Sequence, residues 1–506
     1  MYQFRYQKTI ITTIMMLGIL APQYHALAGR IIFATSSYEQ ASKMLGFDTA
    51  EKQEALLSIL QIQGVFKPKT LWADVHYLDF PDKVKAFKQI WHAIELSKAN
   101  KSHEEFDPKI LRKALGANTE WQDMADYLLV LAQHGFGRSK TQERDILTRT
   151  TDSALEKYAR QYKDSLKKIG MIDRIEPLEA HYHQLWVAGA SRDAFSSRFI
   201  DTMNYIIQKK IKIDKIVMLA GDRALCAEID GINNAKMKLM EDSYQAKTPL
   251  DISKIDMKLT GNKLAEGKNY LLSLAGKLHI DLNEDSPLIQ YKPEDMRPKG
   301  MAPGNTYPNY IDPNGQKLTE ASLARDIIES YKYEDFSAAI FTIIDSAAIT
   351  DLHRPNTANT SYDAAMALIS LIKQGEFGNQ RALHILLASN QPFISRQVIA
   401  AQNSADKALK DAGLIGYKII IHPAGYGCIE SMNLNMIKSE LGALLSESWK
   451  KLYNSENVKP VRAQDTLMYQ TFDTISVPDM PEEIKEIVVT GENAYDDSEH
   501  ISKIMD

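Results

Sequence analysis

Arginines and carboxylates recur directly after short apolar runs, which is where an open parallel sheet presents side chains to a ligand. Ser191 and Arg192 follow the run 185–190 (LWVAGA), and Arg198 stands on the helix that comes next. Gly221, Asp222, Arg223 and Glu228 follow 216–220 (IVMLA), and Asp345, Asp351, His353 and Arg354 follow 338–344 (AAIFTII). The run 383–388 (LHILLA) leads to Ser389, Asn390 and Arg396, and 418–422 (KIIIH) closes on His422. Guanidinium groups beside helix N-termini make an anion site: arginine grips phosphate or carboxylate with two parallel donors, while unpaired backbone N–H groups point to the same place. Asp222, Glu228, Asp345 and Asp351 are oxygen ligands of the kind that hold a Mg²⁺ ion bridging to such an anion. Glu228, Asp345, Asp351 and His353 are therefore the candidates for acid, base or metal-ligand work. Ser191, Arg192, Arg198, Gly221, Asp222, Arg223, Ser389, Asn390 and Arg396 are the candidates for holding the ligand. Any one of the carboxylates, taken alone, reads as a helix cap or a surface ion pair; their convergence on one sheet edge is what singles them out.

The elements that must position these residues are legible from the texture of the chain. The five runs have strand length and lack the alternation of a one-sided sheet, so they predict parallel strands buried on both faces. Amphipathic helices are expected at 195–209, 321–331, 362–373, 395–410 and 437–453. Strand and helix in alternation predict an α/β fold, a Rossmann-like, doubly wound, mainly parallel five-stranded sheet. This domain is expected over 179–455, with an insertion at about 231–335, because the connection there is far longer than a simple crossover needs. Within it, 282–316 is rich in Pro, Gly and Asn, and 296–315 (MRPKGMAPGNTYPNYIDPNG) reads as a lid or an unstructured loop. Residues 29–178 are predicted to be a mainly helical domain or cap, with three- and four-residue apolar spacing at 54–62, 84–96, 110–115, 124–131 and 155–169, and a short strand at 30–34. Residues 456–506 turn acidic and irregular and read as a solvated tail.

Four segments, LWVAGASRDAFSSRFI, IVMLAGDRALCAE, NTANTSYDAAMALI and ILLASNQPFISRQV, resemble the motif blocks of the ElyC/SanA/YdcF family, in that family's order. The blocks fall here on Arg198, on Gly221 with Glu228, on Thr360 with Asp363, and on Ser389 with Arg396. The resemblance spans about 185–453 and adds Thr360 to the ligand-binding candidates. Asp363 stands where the family usually has Asn, and Phe393 where it often has His. It implies a Rossmann-like domain, a link to the bacterial envelope, and S-adenosylmethionine or a nucleotide as the bound small molecule.

Competing readings attach to other residues. Asp351-Leu352-His353-Arg354-Pro355-Asn356 has the D-x-H-x-x-N spacing of a phosphoinositide-kinase catalytic loop, which would make the protein an effector in contact with host lipid. The Asp-Phe-Gly that should follow is absent, and Glu376-Phe377-Gly378 comes too late. His181 and His183 alternate as strand residues and could face one metal, without an evident third ligand. No G-x-S-x-G elbow, P-loop or G-x-G-x-x-G fingerprint occurs at the strand ends.

Composition sets the outer limits. With 44% apolar and 25% charged residues the chain reads as globular, and a net charge of −5 argues against a general nucleic-acid surface. Arg5 and Lys8, the apolar stretch 10–21 and Ala26-Leu27-Ala28 form a secretory signal peptide over 1–28, so the protein is expected to be exported, to the periplasm or beyond. That stretch is shorter than the roughly 20 residues a spanning helix needs, and no later segment approaches them, so no transmembrane segment is expected after cleavage. Cys226 and Cys428 follow strands that sit apart in the expected sheet, which predicts two thiols rather than a disulfide. Expressed in a bacterium with its own N-terminus, the protein should yield a mature chain beginning at Gly29 by intact mass; Met1 retained on a cytoplasmic product would refute the export reading.

Overall fold

The computed structural model describes residues 36–62, 125, 128, 157–221, 223, 225, 227, 230, 231, 234–252, 263–283, 318–336, 340–346, 356–428 and 434–454. The expected leader, strand 30–34, helical segments 84–96 and 110–115, loop 296–315 and acidic tail lie outside these residues, as do Asp222, Cys226, Glu228, Asp351, His353 and Arg354. Two compact units are present. Among the described residues, the first holds α1 (Ser36–Met44), α2 (Ala50–Ile62), α3 (Ala159–Lys168) from Arg160 onward, and the last turns of α10 (Leu434–Asn454). In it Tyr38, Leu56, Leu57, Ile59, Tyr162 and Leu166 are fully buried, and the Tyr38 hydroxyl donates to the Gln53 carbonyl at 2.9 Å.

The second unit is the α/β domain. Its strands β1 (His181–Ala188), β2 (Lys212–Gly221), β3 (Phe341–Ser346), β4 (Ala382–Asn390) and β5 (Lys418–Tyr426) form one sheet in the order β3-β2-β1-β4-β5. Every pairing is parallel. This is the Rossmann-like sheet that the apolar runs predict, and it forms because side chains on both faces find a hydrophobic layer. Trp186, Val217, Leu219, Leu383, Ile385, Leu387, Ile419 and Ile421 face one layer, under α8 (Thr357–Lys373) and α9 (Ile394–Asp411). Leu185, Val187, Ile216, Met218, Leu386 and Ala424 face the other, under α4 (Arg192–Lys209) and α7 (Glu320–Ser330).

The long β2-to-β3 connection supplies more than a loop. It carries α5 (Asn234–Ala246) and α6 (Lys263–Lys277) before α7, and Met240, Leu250, Ile252, Leu271 and Leu274 join the α4-side core. As a result α4 is enclosed: every residue from Phe195 to Ile206 is buried. Its polar side chains find matched partners. The Asp201 carboxylate accepts both Arg174 Nη atoms, at 2.8 and 2.7 Å, and the Leu250 N–H at 2.8 Å. The Asn204 amide donates to the carbonyls of Ser243 and Thr248, both at 2.8 Å, and its oxygen accepts the Tyr333 hydroxyl at 3.0 Å.

Within the α/β unit Ile175 bridges Gly425 and Arg174 reaches Asp201. Two strand boundaries differ from the sequence expectation. Strand β1 starts at His181, and its polar first residues hide its true length. Strand β5 runs on through Pro423 and Gly425 to Tyr426, which places His422 in mid-strand and not at the sheet's carboxyl edge. A proline is tolerated there because β5 is the outer strand and one side of it needs no ladder donor. Cys428, beyond β5, is in no disulfide, and its thiol points at the Met171 carbonyl at 3.3 Å. No described helix is long and apolar enough to cross a membrane.

Candidate functional site

The strand order turns at β1. Crossovers lead from it outward to β2 and β3, and the chain then returns to place β4 on its other side. Diverging connections open a crevice at the carboxyl ends of β1 and β4, the position where such sheets take their ligands. Gly189, Ala190 and Ser191 follow β1 there, and Ser389 and Asn390 end β4, with Gln391 next. Neither N-cap residue of the helices that leave these strands, Ser191 of α4 and Phe393 of α9, makes a side-chain cap bond, and the first N–H of α4, that of Arg192, is taken by the Asp230 carboxylate at 3.3 Å.

Arg198 reaches into this point from the second turn of α4. It is 2% exposed. Nε donates to the Asn390 amide oxygen at 2.8 Å, and one Nη donates to the carbonyls of Ala188 and Gly189, both at 2.8 Å. All three acceptors are neutral, and among the described residues no carboxylate forms an ion pair with it. Burial pushes its pKa down to about 10; Tyr426, Glu320 and Glu440 raise it from a distance, and the neighbouring Arg396 lowers it. At neutral pH the group is a buried cation hydrogen-bonded only to dipoles.

The other arginines differ in this respect. Arg223 is equally buried, but Asp230 accepts from both its Nη atoms at 3.0 and 2.9 Å and Glu320 accepts from Nε at 2.7 Å. Burial opposes its charge, and the two carboxylates outweigh burial, holding its pKa well above the usual value. Arg396, in the first turn of α9, donates from Nε to the buried Glu440 of α10 at 2.7 Å and makes no further hydrogen bond among the described residues. The Arg192 guanidinium lies over the Tyr270 ring, 3.6 Å from its centre, and its backbone N–H donates to Asp230 at 3.3 Å.

Glu320 ties the β1 and β2 ends together. One oxygen binds Arg223 and the other accepts the Gly221 N–H at 3.2 Å. A side chain at Gly189 would put its Cβ 2.4 Å from the Leu219 carbonyl oxygen and 2.8 Å from Glu320 Oε2, so this contact requires glycine. Two buried polar atoms next to these strand ends, Asp193 Oδ1 just after β1 and Gln391 Oε1 just after β4, make no hydrogen bond. Buried polar atoms are nearly always partnered, which sets these two apart.

The remaining sequence candidates fall as follows. Ser389 is fully buried and donates its hydroxyl to Gln397; Thr360 donates to carbonyls of its own helix, at Asn356 and Thr357. Ser191 caps α4 by backbone alone. Asp345 is exposed on β3, the outer strand, with β2 between it and β1, so the sheet does not bring it to Arg198. Asn356, the third position of the kinase-like spacing, is the N-cap of α8. Its amide oxygen accepts the Asn359 N–H at 3.1 Å, and the Asn359 oxygen accepts its own N–H at 3.1 Å. That reciprocal cap accounts for the residue without a metal. Asp193 and Gln391 follow β1 and β4 but were not singled out in the sequence, and Asp230, Glu320 and Glu440 follow no strand directly, so that only the fold brings them to Arg223 and Arg396.

No family model, curated protein or solved structure matches this chain.

The contrast between the two buried arginines has a measurable consequence. Asp230→Asn preserves shape but leaves Arg223 short of one charge partner, and breaking a buried pair costs about 3–5 kcal/mol. Chemical denaturation should show a loss of that size, and an unchanged midpoint would refute the assignment of Arg223 to the scaffold.

Proposed function

We propose that this protein binds an anionic small molecule, phosphorylated or nucleotide-like, in the crevice between the carboxyl ends of β1 and β4. The observation that carries the reading is Arg198: a fully buried guanidinium whose three hydrogen bonds all go to neutral oxygens. A buried ion without a counter-ion is costly by several kcal/mol, and a phosphate or carboxylate that reaches its guanidinium removes that cost. Arg396 beside it, already shared with Glu440, and the first turn of α9, whose N-cap Phe393 makes no side-chain cap bond, add donors to the same anion. Gln391 Oε1 and Asp193 Oδ1 are acceptors, so they suit a ligand that also carries hydroxyl or amino groups, as nucleotides and sugar phosphates do.

The reading is one of binding; of the candidates for turnover, Glu228, Asp351 and His353 lie outside the described residues. The Ser389 hydroxyl is committed to Gln397 and Asn356 to its helix cap, and Asp345 stands away on the outer strand. The resemblance to the ElyC/SanA/YdcF family supports the same site, through Arg198 and Arg396, and suggests an envelope setting. The leader-like Arg5, Lys8 and Ala26-Leu27-Ala28 support a protein that meets its ligand after export.

The test is a thermal-shift screen of the mature chain with inorganic phosphate, nucleotides, sugar phosphates and S-adenosylmethionine, followed by calorimetry on the best binder. A ligand of the native state raises the melting temperature by mass action. Arg198→Gln should weaken binding by about 2–5 kcal/mol, roughly 30-fold to several thousand-fold, with a smaller loss of stability than Asp230→Asn. Equal affinity in Arg198→Gln would overturn the site; S-adenosylmethionine as the only binder would replace phosphate by its carboxylate as the anion.

A further inference from the structure

At the other half of the sheet, away from Arg198, two histidines from neighbouring strands meet. His384 on β4 and His422 on β5 lie diagonally on one face, since Leu386 is the register partner of His422. His384 Nδ1 is 3.0 Å from His422 Nε2, with ring centres 5.1 Å apart and planes within 20°. Glu179, just before β1, brings a carboxylate to them, so that one ligand atom from each of the three lies within 4.8 Å of the others. Both histidines are half-buried and Glu179 is exposed.

The surroundings hold these three in place. The Tyr182 hydroxyl accepts the N–H groups of Leu178 and Glu179 at 3.0 and 2.9 Å, fixing the chain that carries the carboxylate. The Tyr182 ring meets His422 edge-on at 5.4 Å. His183 accepts the His384 N–H on Nδ1 at 3.0 Å, so its Nε2 carries the proton and donates to Gln380 at 2.9 Å. His183 is thereby occupied, and His181 pairs with Asp214 at 2.8 Å. The pair that the strand alternation singles out is thus not the one that converges; the converging pair comes from two different strands.

We propose that Glu179, His384 and His422 form a binding site for a transition-metal dication of the Zn²⁺ class. Two imidazoles and one carboxylate are a ligand set for zinc, and three protein ligands leave a fourth position to solvent on the exposed Glu179 side. With Zn–N bonds of about 2.0–2.1 Å, a tetrahedral ion needs its two nitrogens about 3.3 Å apart, so a small opening of the histidine pair suffices. Hard ions such as Mg²⁺ and Ca²⁺ prefer all-oxygen shells and should not compete. The ion would clasp the entry of β1 to β4 and β5. It is independent of the anion crevice: Asn390, which binds Arg198, lies six residues beyond His384 along β4, about 20 Å away.

The experiment uses the untagged mature chain, stripped with chelator and titrated with Zn²⁺ by calorimetry, with Mg²⁺ as comparison. One Zn²⁺ per chain should bind with a dissociation constant on the order of 1 μM or tighter and raise the melting temperature, while Mg²⁺ does neither. His422→Gln and His384→Gln should each weaken Zn²⁺ binding by about 100-fold, Glu179→Gln by about tenfold, and His181→Gln not at all. The zinc K-edge absorption spectrum should fit two imidazole nitrogens. Failure to bind Zn²⁺, or affinity unchanged in His422→Gln and Glu179→Gln, would overturn the site; should either histidine variant fold poorly, the exposed Glu179→Gln decides alone.

Discussion

A guanidinium sealed at the turning point of the sheet without a counter-ion is the constraint around which this domain is arranged. Desolvating such a group costs several kcal/mol, and hydrogen bonds from a charged donor return about 1.5–3 kcal/mol each. Arg198 makes three, to the carbonyls that end β1 and to Asn390 at the end of β4. Those bonds lock the two strands at the place where they diverge. Two other arginines take the opposite course, the half-buried Arg174 pairing with Asp201 and the buried Arg223 with Asp230 and Glu320. One fold therefore contains both solutions, and the exception sits where an α/β sheet takes its ligand.

The long β2-to-β3 connection covers α4, the helix that carries Arg198. A crossover helix on an ordinary sheet shows one face to water, but α4 is buried all round. Its polar residues then need partners from the covering segment, and Asp201 and Asn204 obtain them from Leu250, Ser243, Thr248 and Tyr333. Arg198, Asp201 and Asn204 are spaced three apart on one helix. The same stripe that fixes the insertion against the domain also aims the guanidinium at the strand ends.

Much of the architecture was legible because buried parallel strands write themselves as unbroken apolar runs; LHILLA and KIIIH could be little else. What polar residues do at strand ends was less so. His181 and His183 obscured the start of β1, and Pro423 concealed that β5 continues to Tyr426. The stretch 296–315 reads as a lid or an unstructured loop because its Pro, Gly and Asn are conspicuous, and it lies outside the described residues; Met240, Leu271 and Leu274, which anchor the insertion in the core, look ordinary. At the site, Arg198 and Arg396 stood out by their distance from a strand. Their partition into one ion-paired and one bonded only to neutral groups depends on Glu440, Asp230 and Glu320, whose approach no local pattern encodes. His384 and His422 were hidden inside apolar runs, and only strand register brings them together.

If the uncompensated charge of Arg198 is there to receive an anion, the most direct measurement is a crystal of the protein soaked in tungstate. Its anomalous signal locates a tetrahedral dianion whatever the natural ligand is. The account predicts a peak at the carboxyl ends of β1 and β4, within hydrogen-bonding distance of the Arg198 guanidinium and absent in Arg198→Gln. A crevice with no peak while tungstate orders elsewhere on the protein, or a peak that persists in the variant, would contradict it.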